Sequence, residues 1–236
     1  MSIQTALVTG ATEGIGRATA FALGRAGYRV GVCARTAGRL DELLQALRAE
    51  GITASGRAAD VGVEAEVQSM VTHVTAELGP VDVLVNNAGI GFLKPFAELS
   101  VAEWDRTMAT NLRSLFLVTR GVLPGMRARG RGAVINIASL AGKNAVLGGT
   151  AYAASKHAVL GFSKSLMLEV RKEGVRVVAI CPGSVETGFG SGRTVPKISK
   201  AGVLLPEDVA EVVLDTLRLP ERALMSEIDL RPANPS

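Results

Sequence analysis

Ala6-Leu7-Val8-Thr9-Gly10-Ala11-Thr12-Glu13-Gly14-Ile15-Gly16-Arg17 is the stretch that decides the fold. Three apolar residues ahead of a turn read as a buried strand, and the periodic segment 15–26 reads as a helix. Between them stand glycines at 10, 14 and 16. Glycine lets backbone approach a ligand closely, and a helix N-terminus offers free N–H groups and the positive end of a dipole. A first strand, turn and helix in this order suit the pyrophosphate of a dinucleotide. The spacing is not G-x-G-x-x-G, and no Gly-Lys-Ser/Thr follows, so a P-loop does not fit. A glycine-rich turn with no ligand is the alternative reading.

Outward from this stretch, β-branched apolar runs alternate with longer helical patterns. Strands are predicted at Ala6–Val8, Arg29–Ala34, Thr53–Ala59, Val81–Asn86, Ala133–Ala138 and Arg176–Cys181, with a weaker one at Glu227–Leu230. Helices are predicted near 15–26, 38–50, 63–78, 100–127, 150–173 and 206–218. Strands apolar on both faces and separated by helices predict a parallel sheet covered on both sides. Right-handed crossovers then give a doubly wound α/β fold of Rossmann type. With 236 residues, 47% of them hydrophobic, one domain over 1–236 is expected. Residues 183–205 lack regular signals, and a loop of that length in a compact domain is expected to be functional, here as a substrate loop.

Bulk properties narrow the class. No apolar run approaches the roughly 20 residues of a membrane helix, and Met1 leads directly into the first strand, so a cytoplasmic protein with no membrane partner is expected. Cys33 and Cys181 each lie in an apolar run and read as buried thiols of a reducing compartment. The two histidines lie near no cysteine or carboxylate cluster at ligand spacing, so no metal is expected. Net charge +4 and a pI of about 9.3 raise nucleic-acid binding. The excess is spread along the chain, and its densest patch, Arg127, Arg129 and Arg131, complements a helix C-terminus, so no nucleic-acid partner is expected.

Two further patterns carry chemistry. The second predicted strand ends Val32-Cys33-Ala34-Arg35, with no Asp or Glu between Val30 and Arg39. An acidic residue there would bind ribose hydroxyls and an arginine would accommodate a 2′-phosphate, so Arg35 favours NADP(H) over NAD(H). A surface arginine opening the next helix is the alternative. In Thr150-Ala-Tyr152-Ala-Ala-Ser-Lys156, Tyr152 and Lys156 share a helix face, which brings an ammonium within reach of a phenol. A fixed positive charge favours the phenolate and brings tyrosine nearer to acid/base use at neutral pH. Taken alone, the pair also fits a partly buried tyrosine beside a solvated lysine.

Further pieces fall in order: Asp60-Val61 after the third strand, Asn86-Asn87-Ala88-Gly89 after the fourth, Asn111 in the long helix, and Ser139 after the fifth. Together, T-G-x-x-x-G-x-G, N-N-A-G, Asn, Ser and Y-x-x-x-K resemble the short-chain dehydrogenase/reductase family from Thr5 to about Thr187. The resemblance implies Tyr152 as acid/base and Lys156 as the group that lowers its pKa and binds the nicotinamide ribose. It implies Ser139 as the group that polarises the substrate oxygen, and Asn111 as the support of a water-linked proton path. It implies cofactor contacts at Gly10, Thr12, Glu13, Gly14, Ile15, Gly16 and Arg35, then Asp60 and Val61 at adenine. Asn87, Ala88 and Gly89 follow at the sheet edge, and Pro182, Gly183, Val185 and Thr187 near the nicotinamide. Asn86 is expected to tie central strands together. Glu13 departs from the family pattern, since many NADP-dependent members carry a base there.

The implied function is hydride transfer between NADP(H) and a small carbonyl or alcohol substrate, with 3-oxoacyl thioester reduction as the alternative. A cofactor-sensing regulator on the same fold is the non-enzymatic alternative, opposed by the complete Ser139, Tyr152 and Lys156 set. The resemblance further implies a homodimer or homotetramer packed through helices 100–127 and 150–173. Lys94 and Lys143 are considered as carboxylate partners of a substrate, against a solvated surface role.

Overall fold

The computed structural model describes residues 4–189 and 202–234, so the middle of the expected substrate loop, 190–201, lies outside the described residues. In chain order the elements are β1 (Thr5–Thr9), α1 (Gly14–Arg25), β2 (Arg29–Ala34), α2 (Ala37–Ala49), β3 (Ala54–Ala58), α3 (Glu64–Leu78) and β4 (Val81–Asn86). They continue with α4 (Val101–Met108), α5 (Ser114–Ala128), β5 (Gly132–Ile137), α6 (Thr150–Val170), β6 (Val175–Pro182), α7 (Pro206–Arg218) and β7 (Glu227–Leu230). All seven strands pair in parallel in the order β3-β2-β1-β4-β5-β6-β7. This is the expected doubly wound Rossmann-type sheet, and its order reverses between β1 and β4, where such sheets open a ligand crevice at their C-terminal edge.

The two faces divide the core. Leucines 40, 43, 44 and 47 of α2 join Leu23 of α1 and Val209 and Val213 of α7 on one face. Met70 and Val74 of α3, Val118, Val122 and Met126 of α5, and Leu166 of α6 fill the other. Burial on both sides explains why the central strands read as unbroken apolar runs rather than alternating ones. Cys33 and Cys181 are free and buried.

A chain of polar side chains runs through this core. Asn86 Nδ2 donates to Asn136 Oδ1 at 2.9 Å and to Thr119 Oγ1 at 3.1 Å, joining β4 to β5 and α5. Asn136 Nδ2 donates to Ser163 Oγ at 2.9 Å, and Ser163 donates to Val159 O at 2.7 Å, which extends the chain into α6. Asn86 therefore ties the central strands together as expected. The basic patch is also spent internally. Arg127 forks onto Glu173, and Arg129 donates to Val81 O at 2.6 Å beside the nearly buried Asp82, which also lies 3.7 Å from Arg131. No helix among the described residues is long and apolar enough to cross a membrane.

The predicted helix 100–127 differs in one respect. It is continuous with α4 and α5, but Ala109–Arg113 between them forms a π-helical turn, and the buried residue of that turn is Asn111. A π turn adds one residue to the helical register and re-aims a side chain, a feature frequent at functional sites. Replacing Asn136 by Ala should cost about 1–3 kcal/mol, because partners on both sides lose a buried hydrogen bond. A urea midpoint shift at unchanged slope would measure it.

Candidate active site

The cradle after β1 is built by close backbone approach. Gly10 (φ 62°) and Gly14 (φ 51°) occupy the left-handed region. A Cβ on Gly10 would meet Ala88 Cα at 2.8 Å, and one on Gly14 would meet Thr187 Cγ2 at 2.9 Å. On Gly16 it would stand 2.3 Å from Gly10 O. Gly10 and Gly14 thus mark contacts between the turn and two parts of the sheet edge, and Gly16 the close return of the turn on itself. Glu13 precedes α1 with extended backbone, and its side chain does not cap the helix. The first N–H groups of α1 face the cradle without a side-chain acceptor, which fits an anionic pyrophosphate. Arg35, directly after β2, is exposed and makes no ion pair among the described residues, which fits a phosphate contact.

Several residues expected to touch the cofactor have their side chains committed elsewhere. Asn87 Nδ2 donates to Thr9 O and Gly10 O, both at 3.0 Å, while Thr9 Oγ1 accepts from the N–H groups of Asn87 and Ala88. Asn87 therefore shapes the crevice and has no free side-chain donor. Val61 is buried in the core of one face, and Ile15 and Val185 are partly buried against the core of the other. Asp60 Oδ1 accepts from Gly62 N at 2.8 Å in a local turn. Val185 also pairs with Leu204, joining the two ends of the substrate loop.

The opposite wall of the crevice holds the proton-transfer candidates. Ser139 follows β5 and its Oγ accepts from Ala141 N at 3.1 Å. That bond uses a lone pair and leaves the hydroxyl hydrogen free to donate. Lys156 is 5% exposed, and its Nζ donates to Ile137 O at 2.8 Å and lies 5.8 Å from the Tyr152 ring centroid. Burial holds Lys156 down to about 8. Burial also pushes the Tyr152 phenol above its ordinary value, with the Ser139 hydroxyl acting in the opposite direction. Burial is thus the largest influence on both groups, and it disfavours the phenolate and the lysine charge alike.

Asn111 takes a role that the motif did not suggest. Its Oδ1 accepts from Ile90 N at 2.8 Å, and its Nδ2 donates to Ile90 O and Ser155 Oγ, both at 2.9 Å. Ser155 in turn donates to Tyr152 O at 2.7 Å. The amide is fully engaged in clamping the loop after β4 to the first turn of α6. A Cβ on Gly89 would lie 3.5 Å from Asn111 Oδ1 and 3.8 Å from Lys156 Nζ, which places this residue beside both groups.

Three contributors escaped the sequence reading. Phe189 packs on Tyr152 with centroids 5.3 Å apart, and a Cβ on Gly91 would meet both rings. Ser155 and Ile90 complete the asparagine clamp. Neither polarity nor spacing flagged them, because their roles arise from contacts across the chain. Lys94 and Lys143, considered as substrate anchors or solvated lysines, are neither. Lys94 Nζ donates to Glu103 at 2.6 Å and holds that carboxyl down to about 2. Lys143 is raised by Asp229 and then by Glu227, both on β7. Among the described residues no group of three or more His, Cys, Asp and Glu could hold a metal ion.

Lys156 makes stability depend on pH in a defined direction. Between about 8 and its ordinary 10.5, the unfolded chain holds a proton that the folded chain has released. Stability from this group therefore rises with pH across that window, and is lowest below it. Melting temperatures of wild type and Lys156→Met, compared without nucleotide from pH 7 to pH 10, should diverge in favour of wild type above about pH 8. A gap independent of pH would show that Lys156 is not desolvated.

Residues 4–195 match the family model described as short chain dehydrogenase. A Streptomyces coelicolor protein named "Putative ketoacyl reductase" is 48% identical over 186 residues, spanning 78% of this chain and 71% of that protein. The NADP-dependent 3-hydroxy acid dehydrogenase YdfG of Salmonella typhi is 38% identical over 98% of this chain and 95% of its own. Among solved structures, an actinorhodin polyketide ketoreductase with NADPH superposes with a TM-score of 0.90 at 38% identity, covering 98% of this chain and 96% of that one. A match that runs through β1 to β6 and carries both the glycine cradle and the Ser139, Tyr152 and Lys156 wall settles the lineage: the chain belongs to the short-chain dehydrogenase family.

Proposed function

We infer that this enzyme, an NADP(H)-dependent oxidoreductase acting on a carbonyl or alcohol group, uses Tyr152 as its acid/base. The observation that carries the reading is the buried Lys156 beside Tyr152 and opposite the glycine cradle. A cation taken out of water with one carbonyl partner is costly, and such groups cluster where chemistry needs them. NADP(H), when bound, supplies or accepts the hydride.

The chain's own residues divide the remaining work. Tyr152 gives its phenolic proton to the substrate oxygen in reduction and takes it back in oxidation. Ser139, with a lone pair occupied by Ala141 N–H, turns its O–H toward the same oxygen and stabilises the charge that develops there. Lys156 has three donors and spends one on Ile137, leaving two for ribose hydroxyls and its charge for the phenolate. Asn111 holds the loop after β4 and the start of α6 at fixed separation, which positions Tyr152. Backbone at Gly10, Thr12, Gly14, Ile15 and Gly16 would hold the pyrophosphate, and Arg35 the 2′-phosphate. Asp60 and backbone at Val61 would lie at adenine, and Pro182, Gly183 and Thr187 at the nicotinamide end.

The mouth of the site is apolar. Leu93, Phe96, Leu147 and Phe189 are exposed around it, while the two lysines nearby are spent on ion pairs. This supports a substrate with an apolar body at the reacting carbonyl, and it keeps 3-oxoacyl thioester reduction as the second reading, in line with the name "Putative ketoacyl reductase" of the Streptomyces relative. Exposed Val101, Phe116 and Leu168 on α4, α5 and α6 support a homo-oligomer built through these helices. A panel of ketones and 3-oxoacyl thioesters with NADPH, followed by nicotinamide absorbance, separates the substrate readings.

Tyr152→Phe should lose nearly all turnover while NADPH binding, followed by fluorescence, persists. Substantial residual activity would remove Tyr152 from the acid/base role. Arg35→Ala should weaken NADPH but not NADH by about 1–3 kcal/mol, the scale of a hydrogen bond to a charged group. Equal losses for both nucleotides would take the 2′-phosphate from Arg35.

A further inference from the structure

Glu13 occupies the position before the second glycine of the cradle, where a negative charge opposes a phosphate. Its side chain leaves the helix N-terminus uncapped and reaches Arg39 Nη1 at 3.4 Å. Arg39 lies in the first turn of α2, one helical turn beyond Arg35, and Ala11 N donates to Cys33 O at 3.2 Å, tying the cradle to the end of β2. Glu13, Arg35 and Arg39 therefore share the edge where β2 ends. The two members of the pair are 69% and 64% exposed, and ion pairs this open to water are weak and readily exchanged.

We propose that Glu13 and Arg39 form a partner-exchanging determinant of nucleotide choice. Arg39 leaves Glu13 for the 2′-phosphate and completes a two-arginine site with Arg35, and Glu13 reclaims it when no phosphate is present. The chain thus carries its second cation on α2 instead of in the cradle, and Glu13 moderates the preference for NADPH by competing for it. Two charge-assisted contacts on one phosphate act together more strongly than a lone exposed arginine. The proposal rests on the NADP(H) reading above.

The test reads binding rather than turnover: dissociation constants of NADPH and NADH by nucleotide fluorescence, and of 2′,5′-ADP and 5′-ADP by calorimetry. Glu13→Gln should bind NADPH and 2′,5′-ADP roughly two- to fivefold tighter, with NADH and 5′-ADP essentially unchanged. Adding Arg39→Met to Glu13→Gln should remove that gain, because the freed arginine itself holds the phosphate. If the double variant binds NADPH as well as Glu13→Gln alone, Arg39 merely neutralises Glu13 and the exchange is overturned. Equal effects of Glu13→Gln on NADPH and NADH would overturn it too. Failure of the underlying reading looks different: wild type would bind both nucleotides equally and Arg35→Ala would be silent. A selective Arg35→Ala with a neutral Arg39→Met keeps that reading and sinks only the exchange.

Discussion

The stitch between Thr9, Gly10 and Asn87 is the contact on which the rest of the site depends. β1 and β4 are neighbours in the sheet whose following segments diverge to opposite faces, so a crevice must open between them. Its width is set by one amide. Asn87 Nδ2 holds the carbonyls of Thr9 and Gly10, and the Thr9 hydroxyl receives the N–H groups of Asn87 and Ala88. These bonds satisfy backbone groups that the diverging strands would otherwise leave unpaired. They also bring Gly10 and Gly16 so near to their neighbours that no side chain fits at either position. The cradle is glycine-rich because the stitch is tight.

A second clamp sets the opposite wall. Asn111 reaches from the π turn to Ile90 and Ser155, so one side chain fixes the β4 loop against the helix that carries Tyr152 and Lys156. The ordinary 3.6-residue repeat would carry this amide to another angle, which gives the extra residue of the π turn a use. Beside this clamp burial depresses Lys156 and raises Tyr152. Both shifts have burial as their largest cause. They describe groups short of solvent, which interact strongly with a charged ligand once it shares the same low-dielectric space.

Most of the fold was legible because both faces of the sheet are buried, which leaves long apolar strand runs separated by helical periodicity. Even β7, weak as a pattern, lies where it was expected, its Glu227 and Asp229 holding Lys143. Boundaries moved by a residue or two, as at β3, which spans Ala54–Ala58 against the expected 53–59. The π turn was not legible, since no residue type signals it. Among site residues, those that act through backbone, Gly10, Gly14 and Gly16, were readable from type alone. Those that act through side-chain contacts were readable as a motif but not as partners: the amides of Asn87 and Asn111 hold backbone and side-chain groups that the sequence does not name.

What the sequence determined by itself was the set of chemical groups and their order along the chain. Periodicity and glycine placement are local properties, and a parallel sheet with one glycine cradle leaves few ways to connect them. Tertiary structure alone decided which side chains are free to act. Asn111 spends its amide on Ile90 and Ser155; Lys94 and Lys143 lose their freedom to carboxylates on other elements; Glu13 meets Arg39 only because α2 packs beside the cradle. Hydrogen-bond capacity is finite, and its allocation depends on neighbours distant in sequence, so no local pattern can reveal what remains for a ligand.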